Sequence, residues 1–305
     1  MEGLRIKGLV VPPLTPMRAD GSVDLQMIEP LHGLMRDAGV RGAFVCGTTG
    51  ESLSLTVQER MKVAERWLQV ADEDFPIIVH VGHDSLPAAV SLAEHAARSG
   101  AAAVSAMAPT FFRPGSVGQL TDWCAPVAAA AKHLPFYYYH IPPMTRVELP
   151  MVEFLDYASE RIPNLVGMKF SHTDMMELGR CVRMGGGRFD VMCGAEGLML
   201  YAFILGCRAV VGTTFNVAAP LYVHLLEAFR RGHVQVARRQ QASAVDLLTV
   251  LNRHGIFRAA KAATALLGFD CGPPRPPLEP VSEDEMAALQ DELEGVGFFD
   301  YAVEA

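Results

Sequence analysis

Eight short apolar or β-branched runs, each followed by a longer stretch of helical periodicity, predict an α/β chain folded as a (β/α)8 TIM barrel. Two further observations support that class. The runs are continuously apolar rather than alternating, as suits parallel strands covered on both faces. Residues able to do chemistry also gather just after several of them, at the strand ends where barrels build their sites.

The first unit is a strand at 8–11, stopped by Pro12 and Pro13, with a helical pattern near 24–38. The second pairs 42–46, running into Gly47, with 56–71, and the third pairs the β-branched run 77–81 with 86–99. The fourth pairs 102–107 with the alanine-rich 117–132. In the fifth, 136–139 carries Phe136 and the first of three tyrosines onward, and 149–159 follows. Strand 165–170 precedes a helix at 174–184 that glycines 185–187 end as a turn. The last two units are 189–193 with 197–205 and 209–213 with 218–231. Beyond 232 the pattern is helical throughout, at 234–252, 255–267 and 283–294, with a proline-rich connector over 268–280. The expected organisation is a barrel over 1–232 that carries the active site and a three-helix extension over 233–305 packed on it.

Half of the 305 residues are hydrophobic, enough for a large core, and the formal charge of -8 disfavours nucleic acid or an anionic membrane as partner. No apolar run reaches the ~18 residues of a membrane span, and the opening Met1-Glu2-Gly3-Leu4-Arg5 does not read as a signal peptide. Cys46, Cys124, Cys181, Cys193, Cys207 and Cys271 show no C-x-x-C spacing and read as buried thiols of a cytoplasmic protein.

Lys169 is the most informative residue. Five lysines occur in the chain, and this one ends the apolar run Leu165-Val166-Gly167-Met168-Lys169-Phe170. A buried lysine is costly as a cation, which is the condition under which an amine serves as a nucleophile toward a ketone. The structural alternative is a lysine that snorkels or pairs with a carboxylate at the strand end.

Gly47-Thr48-Thr49-Gly50-Glu51 reads as a tight turn whose two glycines permit unusual backbone angles. Successive N–H groups beside threonine hydroxyls suit a carboxylate. No lysine follows as in a P-loop. Tyr137-Tyr138-Tyr139-His140 alternates along a strand, so Tyr137 and Tyr139 share one side. A phenol over a reacting centre can shuttle protons; packing in the barrel is the plainer role. His80 and His83 make a poor metal chelate at their spacing, and no acidic cluster completes it, so no metal is expected.

With Pro13-Leu14-Thr15-Pro16, Gly212-Thr213-Thr214-Phe215-Asn216 and Gly272-Pro273-Pro274-Arg275, these motifs follow one another in an order that resembles the dihydrodipicolinate synthase/N-acetylneuraminate lyase family, on its N-acetylneuraminate lyase branch. The resemblance covers nearly the whole chain. It implies that Lys169 forms a Schiff base with the C2 ketone of a 2-oxo acid, without a metal or other cofactor. It implies that Thr48 and Thr49 bind the substrate carboxylate and that Tyr139 takes the C4 hydroxyl proton. Ser171, Gly194, Glu196, Thr213 and Arg146 would complete the substrate site, and the assembly would be a homotetramer, a dimer of dimers.

Four positions depart from the family pattern. Met144 stands where the synthases carry a carboxylate-binding arginine, which argues against dihydrodipicolinate synthesis. Phe111 replaces a relay tyrosine, leaving proton transfer to Thr48, water or substrate. Gly197 replaces the second of two sugar-binding carboxylates, and Arg146 stands in place of a glycine, suited to a distal substrate carboxylate. The expected function is a carbon–carbon lyase cleaving a 2-oxo-3-deoxy sugar acid to pyruvate and an aldehyde. The alternative is a dehydratase, deaminase or aldolase of a smaller or dicarboxylic 2-oxo acid through the same imine. A non-catalytic 2-oxo acid binder is disfavoured by the joint presence of Lys169, Tyr139 and Thr48.

Overall fold

The computed structural model describes residues 3–303. Eight parallel strands form one sheet: β1 (Gly8–Val10), β2 (Ala43–Val45), β3 (Ile77–His80), β4 (Ala103–Met107), β5 (Phe136–His140), β6 (Leu165–Phe170), β7 (Asp190–Cys193) and β8 (Ala209–Val211). Each pairs with its sequence neighbour from β2 through β8, and β8 pairs with β1. The last seam closes where Val11 bridges Ala43, with Phe44 N–H donating to Val11 O at 2.8 Å. The sheet is therefore a barrel, as the alternation of elements predicts.

Helices α1 (Ile28–Asp37), α2 (Val57–Val70), α3 (Leu86–Arg98) and α4 (Val117–Ala130) follow the first four strands. A short α5 (Pro142–Thr145) and α6 (Met151–Ser159) follow β5; α7 (Met175–Gly187), α8 (Met199–Ile204) and α9 (Phe215–Arg230) follow the last three. The C-terminal segment adds α10 (Val234–Arg253), α11 (Ile256–Leu266) and α12 (Glu283–Gly295). Two capping boxes start helices firmly: Thr56 with Glu59 at α2, and Ser282 with Glu285 at α12.

Local sequence misplaces some boundaries. Helix α5 is unexpected, yet Pro142 and Pro143 sit in its first turn, where a missing N–H costs nothing. β8 ends at Val211 rather than at 213, and α9 begins at Phe215 rather than at 218. Pro220 cannot donate to Asn216 and crowds its carbonyl, so α9 starts on tight turns and reorients at Ala218 (φ -141°, ψ 31°).

Inside the barrel, Val10, Phe44, Ile78, Met107, Tyr137, Met192 and Val211 pack together. The opposite strand faces pack under the helices. At the lower end, Tyr137 donates to Asp190 at 2.6 Å, while the N–H groups of Leu4 and Arg5 donate to Tyr137 and Asp190 at 2.8 Å each. The N-terminal segment thus closes the floor.

The decisive irregularity lies in β6. Phe136 pairs with Leu165, but Tyr137 pairs with Gly167, so Val166 is an extra residue, a β-bulge. Val166 faces the interior, Met168 the helices, and Lys169 comes opposite Tyr139 on the inner face. Strict alternation from Val166 would turn Lys169 outward. Gly167 makes the bulge possible, since a Cβ there would stand 1.9 Å from the Asp190 carbonyl oxygen.

Candidate active site

At the C-terminal ends of the strands, Lys169, Tyr139, Thr48, Thr49, Ser171, Gly194, Glu196 and Thr213 line one open cavity of about 200 Å³. These eight residues come from five loops or strand ends, brought together by the barrel. Arg146 is not among the lining residues. It is exposed at the end of α5 in a left-handed conformation (φ 57°), and the structure does not bring it to Lys169. A larger cleft of about 490 Å³, beside Lys132, Arg161 and Asn164, lies at the other end of β6 and holds none of these groups.

Lys169 is 4 % exposed. Its Nζ lies 4.1 Å from the centre of the Tyr139 ring and 4.3 Å from that of Phe44, with no paired carboxylate among the described residues. The amine is therefore buried without a direct ion pair among the described residues, with Glu196 the carboxylate that shares its cavity, which separates it from the ion-paired strand-end lysine of the structural alternative. Tyr139 is fixed by edge-on packing against Phe44 and His80, at ring separations of 5.3 and 5.7 Å. Its hydroxyl is 3.2 Å from Thr48 Oγ1, and Thr49 Oγ1 is 2.8 Å from Thr213 Oγ1. Two hydroxyl pairs thus line the same cavity as the amine.

The turn after β2 departs from expectation in one respect. Neither Gly47 nor Gly50 is left-handed; Cys46 and Glu51 are, each at φ 57°. The glycines answer crowding instead, since a Cβ at Gly47 would meet Phe44 at 3.0 Å and one at Gly50 would meet Pro13 O at 3.0 Å. Holding a non-glycine residue left-handed costs of order 1 kcal/mol each. In the resulting shape the backbone N–H groups of Thr48 and Thr49 donate to no acceptor within the described chain, while Glu51 N–H closes the turn onto Thr48 O at 3.0 Å. Unpaired successive amides are what a carboxylate requires.

Glu196 is 7 % exposed and accepts from Thr214 N–H at 3.2 Å; burial pushes its carboxyl up. Ser171 Oγ is buried without a hydrogen-bond partner among the described residues, and a Cβ at Gly194 would fall 1.8 Å from it, so glycine is what leaves room for that hydroxyl. The outer wall is apolar, built by Ile141, Pro143, Met144, Ile256 and Phe257. Gly197 lies outside the cavity, its carbonyl accepting from Gln241 of α10 at 3.0 Å.

His80, the candidate metal ligand, has both ring nitrogens in use: Nδ1 lies 3.0 Å from Cys46 O and Nε2 accepts from Met107 N–H. Burial first, then the neighbouring Arg60 cation, holds it well below its ordinary titration range. Among the described residues no set of His, Cys, Asp and Glu side chains is arranged to hold a metal ion.

Sequence reasoning missed Phe44, Ile256 and Phe257. Their contribution is set by tertiary packing, and a hydrophobic residue gives no local sign that it faces a cavity rather than the core. The bulge did leave a sign, a lone glycine inside a strand pattern.

Fold and site together define a TIM-barrel lyase of the class I aldolase type. The dihydrodipicolinate synthetase family model matches residues 5–295, and the chain belongs to that family. N-acetylneuraminate lyase from Gallus gallus is 36 % identical over 297 residues, covering 96 % of each chain. The structure of Proteus mirabilis N-acetylneuraminate lyase superposes with a TM-score of 0.93 at 38 % identity, covering 96 % of this chain and 99 % of the other. A dihydrodipicolinate synthase from Bacillus anthracis reaches 0.90 at 26 % identity, covering 96 % and 99 %.

Proposed function

We propose that this chain is a pyruvate-releasing retro-aldol lyase acting on a 2-oxo-3-deoxy sugar acid of the N-acetylneuraminate type, with Lys169 as the imine-forming residue. The observation that carries the reading is the buried amine of Lys169, without a direct ion pair among the described residues, against Tyr139, whose hydroxyl is 3.2 Å from Thr48 Oγ1. The similarity to N-acetylneuraminate lyases over nearly the full chain supports the substrate class.

Thr48 and Thr49 bind the C1 carboxylate through the amides and hydroxyls of their turn. Lys169 Nζ adds to the C2 ketone, water leaves, and a protonated imine forms. Tyr139, relayed by Thr48, takes the proton of the C4 hydroxyl. The C3–C4 bond then breaks, its electron pair moving into the imine to give an enamine and freeing the aldehyde. Protonation at C3 and hydrolysis of the imine release pyruvate and return the amine. Ser171, Glu196 and Thr213 hold the hydroxyls around C4. The imine is the electron sink, so the reaction needs no metal or other cofactor, and chelators should leave turnover unchanged.

Borohydride reduction in the presence of pyruvate should fix a pyruvate-derived adduct on the Lys169 peptide, and N-acetylneuraminate should yield pyruvate at a rate that Lys169→Ala abolishes. An unmodified Lys169 peptide sinks the imine mechanism.

A second reading has one observation in its favour. The outer wall is apolar and Glu196 is the one carboxylate among the described residues lining the cavity, which suits a shorter, less hydroxylated 2-oxo acid. Lysine-dependent adduct formation without pyruvate release from N-acetylneuraminate would select it. The dicarboxylic version lacks support here, because Arg146 stands outside the cavity.

We further propose a cytoplasmic homotetramer. Six buried free cysteines suit a reducing compartment. Exposed apolar side chains at Phe111, Phe112, Met176 and Ile204 supply surface for subunit contacts.

A further inference from the structure

We infer that Glu51 and Lys261 are positioning residues for the substrate carboxylate, a buried ion pair through which the C-terminal segment holds the Thr48–Thr49 turn in its anion-receiving shape. The inference rests on the lysine-imine reading above, in which that turn takes the carboxylate.

Glu51 ends the turn and sits in the left-handed region, at φ 57° and ψ 28°. A backbone held there persists only where its surroundings over-determine it. They do so here from a distant part of the chain. Glu51 Oε1 is 2.7 Å from Lys261 Nζ of α11, and both side chains are 2 % exposed. Glu51 Oε2 accepts from the N–H of Arg275 at 2.7 Å, and Lys261 Nζ donates to Pro273 O at 2.9 Å. The Arg275 guanidinium then donates to Ser54 O at 2.9 Å and pairs with Glu59 at the start of α2. From the barrel side, Thr15 Oγ1 donates to Gly50 O at 2.7 Å.

Neither Glu51 nor Lys261 lines the cavity, so neither is catalytic. A buried ion pair is also a poor way to gain stability, since a hydrophobic pair of similar volume does as well or better. What it supplies is direction. With Oε1 ion-paired to Lys261 and Oε2 hydrogen-bonded to Arg275 N–H, the Glu51 side chain is tied at both oxygens, and the residue that closes the turn onto Thr48 is tied with it. The C-terminal helices thereby become part of the substrate site, alongside Ile256 and Phe257 in the cavity wall.

The test measures borohydride trapping of pyruvate on Lys169 as a function of pyruvate concentration, with thermal unfolding of the same samples. Wild type is compared with Lys261→Met, Glu51→Gln and the double variant. The half-saturating pyruvate concentration should rise about tenfold or more in each, because small misplacements of positioning groups cost up to about 100-fold. Trapping at saturating pyruvate should still reach the wild-type extent. Lys261→Met alone leaves a buried carboxylate unpaired and risks misfolding, whereas the double variant removes both charges and should keep a Tm near wild type. A folded double variant with wild-type half-saturation overturns the inference, and so does a lowered Tm with half-saturation unchanged, the mark of a purely structural pair. Failure of wild type itself to trap pyruvate would instead sink the lysine-imine reading.

Discussion

Gly167→Ala should cripple this protein although it adds one methyl group two residues from Lys169. The new Cβ would stand 1.9 Å from the Asp190 carbonyl oxygen and 2.6 Å from its carbon. Both are backbone atoms of β7, so no side chain can rotate away. An ordinary carbon–oxygen contact is about 3.3 Å, so β6 and β7 must part locally by roughly 1.4 Å. The ladder hydrogen bonds beside the Gly167–Asp190 pairing would lengthen toward about 4 Å and cease to be hydrogen bonds. Backbone overpacking of about 1–3 kcal/mol plus one or two broken buried bonds at about 1 kcal/mol each gives a loss of about 2–5 kcal/mol. At about 2 °C per kcal/mol for a chain of this size, Tm should fall by roughly 4–10 °C. Soluble variant should also trap pyruvate on Lys169 at a rate reduced at least about tenfold, because the bulge sets the direction of that side chain. Scanning calorimetry at a fixed scan rate and single-turnover borohydride trapping measure the two effects. A variant within 2 °C of wild type (a margin of about 1 kcal/mol) that traps at the wild-type rate would refute the role assigned to the bulge.

Other changes probe the rest of the site. Tyr139→Phe keeps the ring that packs on Phe44 and Lys169 but removes the hydroxyl beside Thr48; kcat should fall about 10²- to 10⁴-fold while imine trapping persists, and full turnover would remove Tyr139 from the proton relay. Glu196→Gln should raise Tm at neutral pH, because burial lifts this carboxyl above its ordinary value near 4.5 and its ionised form costs stability as pH rises through that raised value. The gain should vanish below about pH 4.5, where both folded and unfolded chains are protonated, and a gain independent of pH would contradict the assignment. Glu59 behaves with the opposite sign: the Arg275 guanidinium, chiefly by hydrogen bonding, holds its carboxyl down to about 2. Its contribution is full above about pH 4.5 and drains away as pH falls toward 2, so Glu59→Gln should flatten the stability profile across that window, as thermal melts from pH 2 to 6 would reveal.

Much of this molecule is legible along the chain because its physics is local or periodic. Every strand and every major helix is announced by apolar runs, helical spacing and glycine or proline stops. The ends fail where a distant or unusual constraint intervenes, as with Pro220 redirecting the start of α9. Lys169, Thr48 and Thr49 stand out along the chain because a charged group ending an apolar strand and a Gly-Thr-Thr-Gly turn are locally improbable without a use, whereas Tyr139 reads as barrel packing until the family resemblance gives it a proton-transfer role. Arg146 stands out only by its departure from the family pattern, and the chain alone does not show that it sits exposed, outside the lining of the cavity.

The sequence by itself therefore determines the barrel and its family, since hydrophobic periodicity and motif order are properties of the chain alone. Only the tertiary structure decides that Lys169 faces inward, because one bulged residue reverses the alternation of β6. It also decides that left-handed Cys46 and Glu51, rather than the glycines, shape the turn, and that Lys261, more than 200 residues away, holds it. Those facts arise from contacts between segments remote in sequence, where close packing rather than local preference sets the geometry.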